Sequence, residues 1–284
     1  MPKIGDNEVL VRLKATSINP IDYKVRSGAA KAFHPLQFPA ILGRDLAGEV
    51  VEWGRNVTGF TKGMRVMGLA NKTYAEFVAV EANVLAQIPD GLLFDQAGSL
   101  PLVTTTGAQL IERGVSPTKG QTVLVTGALG GVGRSAVHVA HKLGVHVLAG
   151  VRASEKHSAA TRLQVDGVVA IDDDAEIDKL HDLDAIADTV DGATIQKLLK
   201  AIRKGGVLGS VLGVPDAAKK LGVRAETVFA QPDATQLRRL AEDVARDEFT
   251  IPIARVMLLE HAAEAHRLAE EGGVNGKIVL VPAG

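Results

Sequence analysis

The residues of this chain best suited to do chemistry form a glycine-rich turn between an apolar β-branched run, 123–126, and a helical pattern. The members of the turn are Gly127, Ala128, Leu129, Gly130, Gly131, Val132 and Gly133. Glycine at 130 lets the backbone approach a pyrophosphate, and glycine at 133 lets the helix pack closely against the strand. The start of a helix also offers free N–H groups and a positive dipole end to an anion. The turn therefore suits a dinucleotide, although Ala128 replaces the usual first glycine.

A glycine-rich turn alone is compatible with a nucleotide-binding site and with a tight structural turn. The sequence on either side of the turn distinguishes between the two. Residues 134–143 have an apolar face with helical spacing, and 145–150 are typical of a second buried strand. A strand, a glycine turn, a helix and a strand in this order are typical of dinucleotide-binding folds.

Basic residues follow the second strand. Arg152 lies nineteen residues after Gly133, about where NAD-binding folds carry an acidic residue for the ribose 2′-hydroxyl. A guanidinium cannot accept a hydrogen bond from that hydroxyl, but it pairs bidentately with a 2′-phosphate. Ser154 and Lys156 add a hydroxyl donor and a second cation. These residues predict NADP(H) as the cofactor, and the alternative is a solvated basic loop at a helix start.

Composition excludes several classes of function. With 284 residues, 46% of them apolar, the chain is long enough for one large or two ordinary domains. A net charge of −1 without a basic block disfavours nucleic acid and anionic membranes as partners. No apolar stretch approaches the roughly 20 residues of a membrane span, and no signal-like run begins the sequence, so we expect a cytoplasmic protein. The absence of cysteine excludes disulfides, thiol nucleophiles and thiolate zinc sites.

The elements that must position the turn fall into three regions. Short strands separated by glycines precede it and favour a small irregular barrel, with strands at 9–14, 46–53, 65–69 and 74–80. Alternating helices and strands surround it and favour a doubly wound parallel sheet. The further strands expected there are 167–171, 185–187, 207–212 and 223–229, and the helices include 101–115, 195–203 and 234–246. The tail, with strands at 251–258 and 277–281 around a helix at 259–271, returns to the barrel.

Five stretches along the whole chain resemble one family. They are 19–24, 38–48, 73–78, 123–133 and 276–280. Together they are similar to the zinc-independent medium-chain dehydrogenase/reductase superfamily, and within it to the quinone and enone oxidoreductases. The resemblance implies an α/β fold in which a Rossmann NADP-binding domain is inserted into a GroES-like β-barrel catalytic domain. The implied domains are 1–106, 107–248 and the return at 249–284, and we expect the family's first strand to be missing before Ile4.

The resemblance also has implications for metal binding and for the type of reaction. Arg44 and Asp45 stand where zinc-dependent relatives carry His-Glu, and Asn19 falls near their first cysteine position, so we expect no metal. Without a Lewis acid, alcohol oxidation loses its means of stabilising an alkoxide. Hydride transfer from NADPH to a quinone, or to the β-carbon of an enone, needs only positioning and a hydrogen-bonded oxygen.

Four residues of the stretch 19–24 are implied to lie beside the nicotinamide. Asn19, Asp22, Tyr23 and Lys24 form this candidate polar wall, with Lys24 as the first candidate for oxyanion donor and Tyr23 as the second. The alternative interpretation is structural: a turn at Asn19-Pro20, an N-cap at Asp22 and a solvated Lys24.

Further cofactor contacts are implied elsewhere, each with an ordinary loop or cap role as the alternative. They are Thr106, Thr189, Val190, Leu212, Gly213, Asn275 and Lys277.

Two other functions stay open from the sequence. One is an NADPH-binding sensor or structural protein with little turnover, and the other is an acyl-thioester enoyl reductase. The resemblance further suggests a homodimer in which residues 223–229 pair across a two-fold axis.

Overall fold

The computed structural model describes residues 1–190 and 192–283. Two compact units make up the chain: a barrel unit, Met1–Leu102 with Pro232–Gly284, and a sheet unit, Val103–Gln231. Among the residues described, every helix is too short or too polar to span a bilayer.

The strands and helices follow in chain order. The strands are β1 (Glu8–Ser17), β2 (Asp45–Trp53), β3 (Arg65–Leu69), β4 (Phe77–Glu81), β5 (Leu85–Gln87), β6 (Thr122–Thr126), β7 (His146–Val151), β8 (Gly167–Ala170), β9 (Leu183–Asp188), β10 (Ile202–Ser210), β11 (Arg224–Thr227), β12 (Ile253–Leu258) and β13 (Lys277–Val281). The helices are α1 (Pro20–Ser27), α2 (Phe94–Ser99), α3 (Pro101–Gln109), α4 (Gly131–Lys142), α5 (Lys156–Arg162), α6 (Asp174–Ile177), α7 (Gly192–Leu198), α8 (Asp216–Lys220), α9 (Ala234–Ala245) and α10 (Ala262–Glu271).

The barrel unit is built on one sheet with the order β12-β13-β1-β2-β3-β5, and β4 pairs with β1. Alternate residues of β1, namely Val9, Val11 and Leu13, are buried in its core, as the two-residue period of a strand requires. The tail strand β13 runs antiparallel to β1. The C-terminal segment therefore completes the unit that the N-terminal segment begins.

The sheet unit carries six strands in the order β11-β10-β9-β6-β7-β8, and every neighbouring pair is parallel. Leu124, Ile186 and Leu208 in its central strands are fully buried, because helices cover both faces of such sheets. The chain leaves β6 towards β7 on one side and later returns to β9 on the other. Ligands of doubly wound sheets bind at this switch point, beyond the carboxyl ends of the strands.

The expected fold class is confirmed, with differences at several element ends. The strands expected at 65–69 and 277–281 have those bounds. The helix expected at 101–115 is an α-helix only to Gln109 and continues as a π-helix, Leu110–Val115. The helix expected to reach 203 ends before β10, which begins at Ile202.

The division into compact units concerns α9 as well. Strand and helix alternation groups residues 234–246 with the nucleotide domain, but α9 belongs to the barrel unit, where it packs against β5. The two compact units divide the chain at 102/103, within α3, and at 231/232, and the domain borders at 106/107 and 248/249 stay predictions.

Glycine is required at Gly43 for two separate reasons. Its φ is +98°, a conformation that residues with a side chain rarely adopt. A Cβ atom there would also lie 2.4 Å from Thr73 Oγ1 and 2.4 Å from Tyr74 Cδ1. This close approach packs the chain before β2 against the Thr73–Tyr74 backbone, whose amide N–H groups donate to Gly43 O and Leu42 O.

We predict that Gly43→Ala lowers the free energy of unfolding more than Gly59→Ala does. Gly59 has a similar φ of +83° with nothing within 4 Å of an added Cβ, so it controls for backbone strain, which costs about 1 kcal/mol. Overpacking at position 43 adds about 2 kcal/mol. Urea unfolding of both variants measures the difference, and equal losses would contradict the close packing at Gly43.

Candidate functional site

A hydrogen-bonded network holds the carboxyl ends of the three central strands of the sheet unit. The fully buried carboxylate of Asp188 accepts hydrogen bonds from Thr126 Oγ1 at 2.9 Å and from Ser210 Oγ at 2.8 Å. Thr189 N donates to Thr126 Oγ1, and Thr189 Oγ1 donates to Thr126 O. Three strand ends and the loop after β9 are thereby fixed next to the glycine-rich turn.

The glycine-rich turn has the geometry of an anion cradle. Gly127 has a φ of +61°, and a Cβ atom there would lie 2.4 Å from Thr189 Oγ1. A Cβ at Gly133 would lie 2.2 Å from Gly127 O, so α4 packs against the turn as closely as a backbone allows. Gly130, the N-cap of α4, is exposed and contributes no side-chain cap. The first N–H groups of the helix therefore remain available to a ligand, and the turn fits a dinucleotide pyrophosphate.

The other members of the turn have structural surroundings. Ala128 is fully buried, and its N–H donates to Gly150 O in β7. A Cβ at Gly131 would lie 3.0 Å from Val103, while Leu129 and Val132 are half-buried. Ala128 therefore faces the core at the point where the usual motif has a glycine.

The basic residues after β7 differ in their availability. The Arg152 guanidinium is exposed and has no hydrogen-bond or ion-pair partner within 1–190 and 192–283, and Ser154 is exposed as well. Lys156 Nζ instead lies 2.5 Å from Glu176 Oε1. The pKa of Glu176 is lowered, first by a hydrogen bond from Ala170 N and then by Lys156. Lys156 is thus already paired, whereas Arg152 is free to bind an anion.

The remaining expected residues of the sheet unit are placed differently. Val190 and Leu212 lie in loops at the carboxyl edge, with 39% and 41% of their surfaces exposed. Gly213, next to Leu212, has a φ of +117°. Thr106 lies in α3 and is nearly buried. The apolar loop residues at the edge suit contact with a ligand better than Thr106 does.

In the barrel unit, the side chain of Asn19 is fully buried rather than exposed on a wall. Its Nδ2 donates to Asp45 Oδ2 at 2.7 Å, and its Oδ1 accepts from Lys277 Nζ at 2.6 Å. Lys277 Nζ also donates to Ile18 O. Burial lowers the pKa of Lys277, while the nearby carboxylates of Asp45 and Asp22 act to raise it.

Lys277, which was expected to reach a cofactor, lies in the interior of the barrel unit. Its ammonium is 2.6 Å from Asn19 and 3.5 Å from the Asp45 carboxylate inside the barrel unit, because a buried ammonium needs charged or polar partners. Asn275, two residues earlier, is exposed.

Asp22 is buried as well and holds the start of α1. Its Oδ2 accepts from Asn19 N at 2.8 Å and from Tyr74 Oη at 3.0 Å. Burial, with a smaller contribution from Asp45, raises the pKa of Asp22 to about 6. Tyr74 Oη lies 3.4 Å from His266 Nε2, and His266 Nδ1 is buried without a hydrogen-bond partner among the described residues. Burial is also the main cause that lowers the pKa of His266.

Tyr23 and Lys24 are the half-buried members of the expected wall. The Tyr23 ring makes an edge contact with His266, with ring centroids 6.4 Å apart, and burial raises the pKa of its phenol. The Lys24 ammonium has no hydrogen-bond or ion-pair partner in the described part of the chain. Of the four residues, these two retain surface that a ligand can reach, whereas Asn19 and Asp22 do not.

Several residues of these networks were not anticipated from the sequence. They are Thr126, Ser210, Tyr74 and His266. The sequence carries a signal for the first two, since each is the polar last residue of a parallel strand. Nothing in the periodicity indicates that Tyr74 and His266 meet.

Comparison with known proteins agrees with this geometry. Residues 5–90 match the family described as alcohol dehydrogenase GroES-like domain, and residues 163–280 match zinc-binding dehydrogenase. NAD(P)H oxidoreductase RTN4IP1, mitochondrial, from Mus musculus is 30% identical over 96% of this chain and 81% of its own length. The chain belongs to the quinone and enone oxidoreductase group of the medium-chain dehydrogenase/reductase superfamily.

Two further relatives fit this membership. The 2-methylene-furan-3-one reductase of Solanum lycopersicum is 29% identical over 99% of this chain and 74% of its own. The solved structure of the quinone oxidoreductase from Coxiella burnetii shares 30% identity and a TM-score of 0.88, covering 99% of this chain and 92% of that one. The chain is accordingly an oxidoreductase with a nicotinamide cofactor.

Zinc, which one matching family description names, does not fit the residues at positions 44 and 45. The sequence has no cysteine. Asp45 Oδ2 accepts hydrogen bonds from Ser17 Oγ at 2.5 Å and from Asn19 Nδ2, and Oδ1 accepts from Leu102 N. Its neighbour Arg44 is a cation and cannot ligate a metal. Both carboxylate oxygens at this position are therefore used by protein donors.

We predict that Asp22→Asn removes a pH-dependent loss of stability. Because the pKa of Asp22 is raised to about 6 in the folded chain from 3.8, the folded state binds more protons between these values. Stability therefore falls as pH rises from about 4 to 7, by about 3 kcal/mol for this group. The asparagine variant keeps an oxygen acceptor for Asn19 N and Tyr74 Oη, so its advantage over the unmodified chain grows with pH.

Urea unfolding at pH 4.5, 6 and 7.5 measures this difference. Asp90→Asn, at an exposed carboxylate of the same unit, serves as the control and shows a constant offset. A constant offset for Asp22→Asn as well would contradict a buried, partly protonated Asp22.

Proposed function

We propose that this protein is an NADPH-dependent reductase that delivers hydride to a quinone or to the double bond of an α,β-unsaturated carbonyl, without a metal ion. The observation that carries the proposal is the uncapped start of α4 over the Gly127–Gly133 turn, in the same unit as the unpartnered guanidinium of Arg152. The bound dihydronicotinamide supplies the hydride.

The choice of NADPH over NADH rests on Arg152 and Ser154. An exposed guanidinium without an acid partner suits a 2′-phosphate, which it can bind through two parallel hydrogen bonds. Because Lys156 is paired with Glu176 at 2.5 Å, we assign it a smaller share of the binding than the other two residues.

The substrate class is supported by the names of the relatives, a quinone oxidoreductase and a furanone reductase. When hydride reaches such an acceptor, its oxygen gains negative charge, and a preorganised donor stabilises that charge. We propose that Lys24 is this donor and that the Tyr23 phenol stands behind it. Asn19 and Asp22, being buried, act by holding the start of α1 in place rather than by touching substrate.

A dimer is part of the same proposal. β11 is an edge strand of the six-stranded sheet. Since an unpaired edge strand is a template for pairing with another chain, two copies can join their sheets through residues 223–229.

We predict NADPH consumption with a panel of quinones and enones, and a loss of turnover in Lys24→Ala. Removal of one charge-stabilising donor lowers kcat about 100-fold while leaving NADPH affinity within about twofold. Absorbance of NADPH and calorimetry measure the two quantities. Lys31→Ala, at an exposed lysine that follows α1, is the matched control.

The outcomes separate the competing functions. Binding of NADPH without turnover on any acceptor would indicate a sensor or structural protein. Turnover confined to acyl thioesters would indicate an enoyl-thioester reductase. Unchanged turnover in Lys24→Ala would exclude Lys24 as the donor.

We predict that NADPH binds at least about tenfold tighter than NADH and that Arg152→Ala abolishes this preference. Loss of a charge-assisted bidentate pair costs about 1.5 to 3 kcal/mol, and NADH, which lacks the 2′-phosphate, loses nothing. Calorimetric titration of both cofactors tests the prediction, with Lys156→Ala expected to have a smaller effect. Equal affinities in the unmodified protein would contradict the assignment to NADPH.

A further inference from the structure

Arg134, in the first turn of α4, is buried to an unusual degree for an arginine. Only 6% of its surface is exposed, whereas arginines are almost never fully buried unless they are paired. Its Nε donates a hydrogen bond to Leu129 O at 2.9 Å. The guanidinium is thereby anchored on the glycine-rich turn, in the N-terminal direction that helical side chains favour.

The rest of the Arg134 guanidinium lacks partners. Neither of its Nη atoms forms a hydrogen bond or an ion pair within 1–190 and 192–283. Each Nη atom keeps some solvent-accessible surface. Up to four N–H donors of a nearly buried cation are therefore left to a group that the protein itself does not supply.

The charges near Arg134 make this arrangement costly in the free protein. Burial is the main cause that lowers its pKa, and the neighbouring cation of Arg162 lowers it further. A positive charge in the first turn of a helix is also disfavoured by the helix dipole. Arg162, exposed in the last turn of α5, has no hydrogen-bond or ion-pair partner among the described residues either. An anion at the turn offsets these costs, because both cations and the positive end of the helix dipole attract it.

We propose that Arg134 is a phosphate-binding residue whose Nη groups donate to the pyrophosphate of the dinucleotide held at the start of α4. This inference rests on the proposed function and adds to it a residue outside the glycine motif. The pyrophosphate is favoured over the 2′-phosphate because the bond from Nε to Leu129 O fixes the guanidinium on the turn itself. The 2′-phosphate is assigned instead to Arg152, which follows β7. Arg134 then contributes affinity for NADPH and NADH alike, and Arg152 contributes the choice between them.

Arg134→Met tests the proposal by calorimetric titration with NADPH, NADH and ADP-ribose. We expect the affinity for all three to fall by the same factor, about tenfold, with the ratio of NADPH to NADH affinity unchanged. The melting temperature of the ligand-free variant stays at or above that of the unmodified protein, because a buried cation at a positive helix end has been removed. Arg113→Met, at an exposed arginine of the same unit, leaves all three affinities unchanged.

Arg134→Gln is the control for a loss of affinity that is caused only by a change in structure. Its amide N–H can still donate to Leu129 O but carries no charge, so we expect a folded protein with the same loss of affinity. A loss of affinity for NADPH alone would indicate that Arg134 binds the 2′-phosphate, and this result would overturn the proposal. Unchanged affinities in Arg134→Met would also overturn the proposal. The same holds if Arg134→Met loses affinity while Arg134→Gln keeps the affinity of the unmodified protein. If the unmodified protein binds none of the three ligands, the proposed function fails first and this inference fails with it.

Discussion

The buried carboxylate of Asp188 is the interaction on which the candidate cofactor site depends. Burying an ionised carboxylate costs several kcal/mol unless hydrogen bonds replace its hydration. Asp188, at the end of β9, obtains them from Thr126 at the end of β6, from Ser210 at the end of β10 and from the backbone of Val190 in the following loop. The carboxylate is therefore satisfied only when β6, β9 and β10 end at the same level. That requirement places Thr189 against Gly127, where any side chain larger than hydrogen would collide.

The barrel unit uses the same physical device around Asp45. Ser17, Asn19 and the backbone of Leu102 donate to its two oxygens, and the Lys277 ammonium lies 3.5 Å away. These groups come from the first strand, the N-cap of the first helix, the start of α3 and the last strand. Removing one partner of a buried charge pair leaves the other uncompensated, which typically costs 3–5 kcal/mol. The network thus makes the N-terminal and C-terminal segments depend on each other, and it fixes the backbone from which Tyr23 and Lys24 project.

The sequence was sufficient for the parts of this fold that follow from periodicity and backbone sterics. The turn at Gly127–Gly133 could be found because glycines and β-branched runs report directly on local conformation. The direction of a polar side chain could not be found in that way. Lys277 was expected to face a ligand and is buried, because its burial depends on Asn19 and Asp45, which are more than two hundred residues earlier in the chain. Likewise, α9 has the pattern of a nucleotide-domain helix, and only its contact with β5 places it in the barrel unit.

Charge near the glycine-rich turn shows why counting basic residues is a poor guide to an anion site. Arg152 and Lys156 are two basic residues close together in the sequence, yet Glu176 already neutralises Lys156. An exposed cation such as Arg152 costs the free protein little, because water and salt screen it, and for the same reason its attraction for an anion is modest. A buried cation such as Arg134 is unfavourable without a ligand and interacts more strongly with one, since the effective dielectric constant around it is lower. The sheet unit thus combines the screened charge of Arg152, which suits a choice between ligands, with the buried charge of Arg134, which suits tight binding. The burial of Arg134 can be seen only in the structure, where the side chains have positions.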